Sequence, residues 1–369
     1  MTGLTRLTWR QLAPDDPLTT SRSVTPWAHG YIAVARELAP DDAGPSQVSV
    51  SPDGVTWTRL PAGTFGPTSA VISVAATRDG VVALTLQLEG TCDEPPDVLE
   101  CHQLSGPLQS WTSADGTAWT AHPVTGVALP GEMSGNEDDH PVLEQATAPL
   151  LIVRSEGRWP AASDDGVTWD HLGAGDLPRG WRAAGATAFA GGYVGIGSAA
   201  GASTVVSSTD GRHWTATALR PKCGNPDLSR SMLEPLAAGA DGLVAQGSRY
   251  EESGIVRWLW CASGGGRAWQ PLDSFPPLGA SKMKDECRDV CPNGILVADG
   301  QRFLAYRGIG TPAAWASLDG RAWDRLAVAG TPPTGWVDPT YPFTMNLLPI
   351  GLLAQNGSND SAWLGVLEP

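Results

Sequence analysis

The sequence contains no long apolar run, few lysines and little charge. No stretch of 18 or more apolar residues occurs, which excludes a transmembrane helix. Only 3 of the 24 basic residues are lysine, the basic residues form no run, and the net charge is -15. Nucleic acids and anionic membrane surfaces are bound through basic patches. We therefore predict no nucleic-acid partner and no membrane insertion.

The composition is that of a turn-rich globular chain. Hydrophobic residues make up 41% of the 369 residues, which is enough for a sizeable core, and only 17% are charged. The chain has 44 glycines and 31 prolines, and no amphipathic helix of convincing length is visible. These features favour short strands joined by turns over helices.

Six cysteines bear on the compartment of the protein. They are Cys92, Cys101, Cys223, Cys261, Cys287 and Cys291. An even number permits a disulfide set and hence an oxidising compartment, although the first residues lack the apolar core of a secretory signal. We predict an extracellular or periplasmic protein whose signal has been removed, and a cytoplasmic protein with six free thiols is the alternative. Cys92 and Cys101 share one loop, and the other four allow three pairings.

A seven-residue unit recurs along the chain. It reads SPDGVTW at 51–57, SADGTAW at 113–119, SDDGVTW at 163–169, STDGRHW at 208–214 and SLDGRAW at 317–323, with a degraded copy, SGGGRAW, at 263–269. The recurring residues of the intact copies are Ser51, Asp53, Gly54, Trp57, Ser113, Asp115, Gly116, Trp119, Ser163, Asp165, Gly166, Trp169, Ser208, Asp210, Gly211, Trp214, Ser317, Asp319, Gly320 and Trp323.

Each residue of this unit has a structural use. Glycine supplies the positive φ of a tight turn, the Ser and Asp side chains can bond backbone amides, and Trp can bury its ring under the hairpin. The degraded copy has Gly265 where Asp belongs, and yet the repeat continues. We therefore predict that the unit holds the fold together and does not catalyse.

A second signal repeats in step with the first. Turns precede β-rich runs such as HGYIAVA at 29, DGVVALTL at 79, DGLVAQG at 241 and NGILVA at 293. Two hairpins in each unit give four strands per repeat, which is the blade of a β-propeller.

The fold prediction is an all-β, seven-bladed β-propeller of four-stranded antiparallel blades. One domain, 1–369, is expected, with the N-terminal strand closing the last blade. The predicted blades are residues 24–60, 68–123, 140–173, 183–220, 232–273, 286–328, and 337–369 with 4–12.

The units resemble the Asp-box, or BNR, repeat, S-x-D-x-G-x-x-W, and the chain resembles the sialidase-like superfamily of Asp-box propellers. The resemblance covers nearly the whole chain and implies the fold. It implies little about function, because that family includes glycosidases, assembly factors and receptors.

Candidate functional residues lie on the loops opposite the repeated turns, since loops on a rigid scaffold commonly carry function. Arg249, Tyr250 and Glu251 are catalytic candidates, because the resemblance implies a Tyr nucleophile with a Glu base. The acidic loop containing Glu137, Asp138 and Asp139 could bind calcium, although a solvated loop is the simpler interpretation. No other cofactor is expected.

The leading functional prediction is a non-catalytic, monomeric binding or scaffold module that recognises a protein or glycan through its loop face. A glycoside hydrolase or lyase of the sialidase-like kind is the alternative. A periplasmic assembly factor is a weaker alternative.

Overall fold

The computed structural model describes most strands of the chain and their turns. The described residues are 2–35, 46–67, 69–89, 103–125, 127, 142–147, 150–155, 158–173, 175–189, 192–199, 202–218, 233–250, 256–263, 270–271, 295–308, 311–333, 343–356 and 361–369. They fall into two compact units, one of Thr20–Leu177 and one of Met1–Thr19 with Pro178–Pro369.

The Thr20–Leu177 unit contains three four-stranded antiparallel sheets in which each strand pairs with the next along the chain. The first sheet is β2 (Ser21–Trp27), β3 (Gly30–Ala35), β4 (Val48–Ser51) and β5 (Thr58–Arg59). The second is β6 (Ser69–Ala76), β7 (Val81–Glu89), β8 (Gln103–Ser113) and β9 (Thr120–Pro123). The third is β10 (Val142–Thr147), β11 (Leu150–Ser155), β12 (Arg158–Ser163) and β13 (Asp170–His171).

The second unit contains two further sheets of the same kind and one of eight strands. The four-stranded sheets are β14 (Trp181–Phe189), β15 (Gly192–Ala199), β16 (Ala202–Ser208) and β17 (Thr215–Ala218), followed by β18 (Leu233–Ala238), β19 (Leu243–Tyr250), β20 (Val256–Ser263) and β21 (Gln270–Pro271). The remaining strands are β1 (Arg6–Gln11), β22 (Ile295–Ala298), β23 (Phe303–Arg307), β24 (Ala313–Ser317), β25 (Asp324–Gly330), β26 (Phe343–Leu348), β27 (Gly351–Asn356) and β28 (Ser361–Glu368).

The described chain is nearly all-β. Its one described helix is α1 (Pro17–Thr20), a single turn. In the part of the chain that is described, no helix has the length and hydropathy needed to cross a bilayer. Repeated four-stranded antiparallel sheets are the organisation of propeller blades, so the fold is propeller-like.

The eight-stranded sheet consists of two four-stranded halves joined through the N-terminal strand. Its order is β22-β23-β24-β25-β1-β28-β27-β26. Strand β1 pairs antiparallel with β28, where Trp9 lies opposite Gly365, and parallel with β25, where Trp9 lies opposite Gly330. The parallel pairing has no counterpart in the sequence pattern, because a ladder between residues more than 300 positions apart leaves no local signal.

Within each unit, neighbouring sheets pack face to face, and their central strands are buried. Residues 31–34 of β3 and all of β24 are buried, whereas β5 and β13 are exposed. One core cluster joins Ile32 of the first sheet to Val71 and Ala83 of the second. Burial on both faces explains why these strands read as continuous apolar runs and do not alternate.

One strand assignment made from the sequence is wrong. In the repeated pattern the turn stands between the first and second strands of a unit, which predicts that NGILVA at 293 begins a second strand. Instead, Ile295–Ala298 forms the first strand, β22, and β23 follows a later turn. That turn is closed by Asp299, whose Oδ1 accepts the amide hydrogens of Gln301 at 3.0 Å and Arg302 at 2.9 Å. The pair Asp299-Gly300, with φ of 82° at the glycine, is therefore the hairpin turn.

Replacing Trp9 tests how much of the second unit depends on the N-terminal strand. The Trp9 side chain is 2% exposed and packs edge-on against Tyr306, with ring centroids 5.1 Å apart. Truncating a buried aromatic residue typically costs ~3–5 kcal/mol. We expect Trp9→Ala to lower the free energy of unfolding by that amount, measured by urea denaturation followed by circular dichroism.

Arg10→Ala is the matched control, because Arg10 is exposed on the same strand. We expect a change within about 0.5 kcal/mol for this variant. Equal losses in the two variants would mean that the strand matters only through its backbone.

Candidate functional site

The five intact copies of the repeated unit form turns of one geometry, which we call box turns. In each, the serine Oγ accepts the glycine amide hydrogen at 2.8–2.9 Å. The serine hydroxyl also donates to the aspartate Oδ1 at 2.9–3.1 Å. The glycine φ lies between 71° and 74°, the left-handed region that favours glycine.

The aspartate completes the box turn. Its Oδ1 accepts the amide hydrogens of the residues two and three positions later, at 2.7–2.9 Å in all five copies. Two backbone amides of the turn thus donate hydrogen bonds to the aspartate Oδ1. It supports the hairpin locally, as Asx turns do.

These hydrogen bonds hold the aspartates ionised. The amides of Thr56 and Val55 lower the pKa of Asp53 to about 2, and those of Ala118 and Thr117 do the same for Asp115. A carboxyl group that donates protons near neutral pH needs a raised pKa. The box aspartates therefore lack the raised pKa that a general acid requires.

In the other three copies, burial does not raise the pKa of the box aspartate above its usual value. For Asp165 and Asp319, desolvation raises the pKa, but the amide hydrogen bonds outweigh it and the net shift is downward. For Asp210, desolvation is outweighed by the backbone and side chain of His213, whose Nδ1 lies 2.7 Å from Asp210 Oδ2.

The tryptophans of the box turns use their ring N–H in different ways. Trp119, Trp214 and Trp323 donate to the carbonyl of their own box glycine at 2.9–3.1 Å. Trp169 instead lies 3.4 Å from Ser110 Oγ, and Ser110 donates to the Gly166 carbonyl. Trp57 Nε1 is buried and has no acceptor among the described residues.

The turns are one residue shorter than the pattern S-x-D-x-G-x-x-W. In all five copies glycine follows aspartate directly, so the unit reads S-x-D-G-x-x-W. The degraded sixth copy is described only at Ser263, which is buried, and residues 264–269 lie outside the described part.

Three of the five box glycines also mark where consecutive sheets touch. A Cβ at Gly166 would overlap the side chain of Val82 in the preceding sheet, and one at Gly320 would overlap Val244. A Cβ at Gly116 would lie 2.9 Å from Trp27 Cζ2. The glycine therefore serves both its own turn and the packing of the sheet before it.

The catalytic candidates from the sequence lie partly outside the described residues. Arg249 and Tyr250 end β19, where their backbones pair with Arg257 and Val256. Their side chains, and the whole of Glu251, are not among the described positions. The proposed cluster therefore stays a prediction.

The metal and disulfide candidates also stay predictions. Glu137, Asp138 and Asp139 lie outside the described ranges, as do all the cysteines except Cys261, which lies in β20. Among the residues that are described, no group of three or more His, Cys, Asp or Glu side chains could hold a metal ion.

A cavity that the sequence did not predict lies in the Thr20–Leu177 unit. It measures about 230 Å³ and is lined by residues 46–48, 59–65 and 69. Strand β4 runs towards the box turn at 51–57 and β5 runs away from it. The cavity therefore lies at the end of this sheet opposite the box turn, which is the end where the sequence predicted functional loops.

The cavity has an apolar floor and a wall held by its own hydrogen bonds. Val48, Leu60 and Phe65 are buried, and the Phe65 ring packs edge-on against Trp119 at 4.8 Å. Thr64 donates its hydroxyl to the Pro61 carbonyl at 2.7 Å. Two successive backbone turns thus close the segment 61–66.

Polar groups surround the mouth of the cavity. Arg59 and Gln47 are exposed, and the Arg59 side chain makes no hydrogen bond or ion pair with any described residue. Ser46 Oγ accepts the Val71 amide hydrogen at 2.9 Å and so ties the mouth to the next sheet. An apolar floor with a few polar groups at the rim is typical of small-ligand sites.

Comparison with known proteins gives only distant similarities. No protein family and no curated protein matches the sequence. Among solved structures, Trypanosoma rangeli sialidase shares 14% identity over 94% of this chain and 54% of its own, with a TM-score of 0.38. Aleuria aurantia lectin shares 14% identity over 86% of this chain and 98% of its own, with a TM-score of 0.39. The β-propeller domain of the trilobed protease from Pyrococcus furiosus shares 8% identity over 82% of this chain and 84% of its own, with a TM-score of 0.43.

The contact between Gly166 and Val82 can be tested by adding one methyl group. We expect Gly166→Ala to lower the free energy of unfolding by about 2–5 kcal/mol, because a positive φ costs ~1–2 kcal/mol and overpacking a stiff, buried valine adds ~1–3 kcal/mol. The control is Gly63→Ala. Gly63 has φ of 79° but nothing within 4 Å of the added Cβ, so only the backbone cost of ~1–2 kcal/mol is expected. Similar losses in both variants would contradict a role in sheet packing.

Acid should weaken the fold through the box aspartates. Their pKa is lower in the folded chain than the ~3.9 of an unfolded aspartate. Their contribution to the free energy of unfolding is therefore complete above pH ~3.9 and is lost as the pH falls towards about 2. In Asp115→Asn the amide oxygen can still accept both amides but carries no charge. We expect this variant to be less stable at pH 7 and to lose less stability between pH 5 and 3, measured by urea denaturation.

The control for this comparison is Asp79→Asn, since Asp79 is exposed and makes no hydrogen bond with the described residues. Its pH dependence should match that of the unaltered protein. An Asp115→Asn variant with an unchanged pH dependence would contradict the assignment.

Proposed function

We propose that this protein is a non-catalytic binding module that holds a sugar residue of a glycan in the cavity of the Thr20–Leu177 unit. The observation that supports this most directly is the cavity, with its buried apolar floor and its exposed Arg59 and Gln47. Its volume of about 230 Å³ is below the roughly 300–1,000 Å³ of sites for drug-sized ligands. That size suits one sugar ring.

The chemistry of the lining matches a sugar. A pyranose has an apolar face formed by its C–H groups and a rim of hydroxyls. Leu60 and Phe65 line the cavity with apolar atoms, and Arg59 and Gln47 supply hydrogen-bond donors that other described residues do not use. Because backbone hydrogen bonds close the turns at 61–66, little ordering entropy is lost on binding.

The box turns support a scaffold role. Their carboxylates are hydrogen bonded within the turn and have lowered pKa values, so the most repeated acidic group of the chain serves structure. A rigid array of such turns can hold binding loops at the opposite ends of the strands.

We further propose that the strands make seven blades. The support is that the five four-stranded sheets and the two halves of the eight-stranded sheet each have the blade pattern. A crystal structure with any other number of blades would contradict this proposal.

Glycan binding can be tested with variants at the mouth of the cavity. Screening on a glycan array would be followed by calorimetry with the best ligand. We expect Arg59→Ala to weaken binding by about tenfold or more, since a hydrogen bond from a charged group contributes ~1.5–3 kcal/mol. Ala62→Trp, which fills the exposed mouth, should abolish binding.

Arg78→Ala is the matched control, because Arg78 is an exposed arginine of the same unit in the β6–β7 turn, at the end of its sheet that carries the box turn. It should leave the affinity unchanged. Full affinity in both cavity variants would refute the site. Hydrolysis of the bound glycan would refute the non-catalytic assignment and favour the glycosidase alternative.

A further inference from the structure

Arg307 has a guanidinium group that no described residue satisfies. It ends β23, its side chain is partly buried, and its Nε is inaccessible to solvent and has no hydrogen-bond acceptor. No carboxylate among the described residues forms an ion pair with it. Arg302, just before the same strand, is different, because its Nε donates to Asp299 Oδ2 at 3.0 Å.

The position of this guanidinium is fixed by an aromatic ring. Its Cζ lies 5.7 Å from the ring centroid of Trp315, which is buried. Arg307 pairs with Ala313 and Ala305 pairs with Trp315, so both side chains are on one face of the sheet. A cation–π contact offsets part of the cost of removing the charge from water, but it supplies no acceptor for the N–H groups.

The face of β23 that carries Arg307 is apolar further along the strand. The same face continues into the cluster of Ala305, Phe303 and Val244. Because β24 runs towards its box turn, Ala313 and Arg307 lie at the opposite end of this sheet. The guanidinium is therefore positioned at the end of an apolar face, and its Nε–H has no acceptor among the described residues.

We propose that Arg307 and Trp315 form an anchoring site for an oxyanion, the carboxylate or sulfate group of an acidic ligand. The guanidinium presents a planar fork of N–H donors that matches two oxygens of such a group. Partial burial strengthens this pairing, since competing water is reduced. The inference is independent of the proposed sugar site, which lies in the other unit.

The negative net charge of the chain makes a local anion site distinguishable from general attraction. At a net charge of -15, the protein repels anions on average. An anion effect that disappears with one arginine would therefore be local. General attraction to a basic surface would not produce it.

The test uses simple anions on the full chain. Thermal unfolding would be followed in sodium sulfate, sodium glucuronate and sodium N-acetylglutamate, each compared with sodium chloride at the same ionic strength. A ligand that binds only the folded state raises the unfolding midpoint. We expect at least one oxyanion to raise it by about 2 °C or more in the unaltered protein, and this increase to be absent in Arg307→Gln.

Arg325→Gln is the matched control. Arg325 is exposed and pairs with Trp315 on the neighbouring strand, so it carries the same charge on the same face. It should respond to the anions as the unaltered protein does. Sulfate also stabilises proteins generally by exclusion from their surface, and that part of the increase should persist in Arg307→Gln. Increases of equal size in the unaltered protein and in Arg307→Gln with all three anions would overturn the proposal.

A second measurement covers the case in which Arg307→Gln does not fold. The Nε–H resonance of Arg307 would be assigned in ¹⁵N spectra by its loss in Arg307→Lys, and then titrated with each anion in the unaltered protein. A saturable shift of this resonance supports the site. A response to glucuronate above the others indicates a sugar acid, and one to N-acetylglutamate indicates an acidic peptide. No shift with any of the three anions would overturn the proposal.

Discussion

The structure depends most on one hydrogen-bonded arrangement, the box turn. A serine hydroxyl accepts the glycine amide hydrogen, and an aspartate oxygen accepts the next two. The turn needs a positive φ at glycine, and the same glycine is where Val82 or Val244 of the preceding sheet comes close. One residue thus satisfies a local and a tertiary requirement together. That coupling explains why Ser, Asp and Gly recur at fixed spacing while the residues between them vary.

The two ends of a sheet that carries a box turn differ in how their polar side chains are hydrogen bonded. At the box end, the acidic side chains bond amides of their own turn and have lowered pKa values. At the opposite end, two arginines have side-chain donors that no described residue accepts: Arg59 beside the cavity in one unit, and Arg307 against Trp315 in the other. Rigid ends with satisfied groups favour stability, and ends with unsatisfied groups favour binding.

The N-terminal strand shows how a distant segment can complete a sheet. Strand β1 carries two ladders, antiparallel to β28 and parallel to β25, so neither neighbour is left with an open edge along it. Trp9 fits there because Gly365 opposite it has no side chain, and a Cβ at Gly365 would approach the Trp9 ring at 3.1 Å. The closure therefore combines backbone pairing with a shape match between a large and a small residue.

The sequence by itself determined the box turns, the all-β character and the four-stranded repetition. Each of these depends on residues that are close together in the chain: glycine after aspartate, tryptophan three residues later, and apolar runs after turns. Tertiary structure decided the rest. Whether Ile295–Ala298 is a first or second strand depended on its partner Phe303–Arg307, which spacing alone could not choose. The cavity between 46–48 and 59–65 depends on which groups come within a few ångströms in the folded chain, and so does the lack of an acceptor for Arg307 Nε among the described residues. Hydrogen bonds and burial between distant residues leave no periodic trace in a sequence, so only the folded chain reveals them.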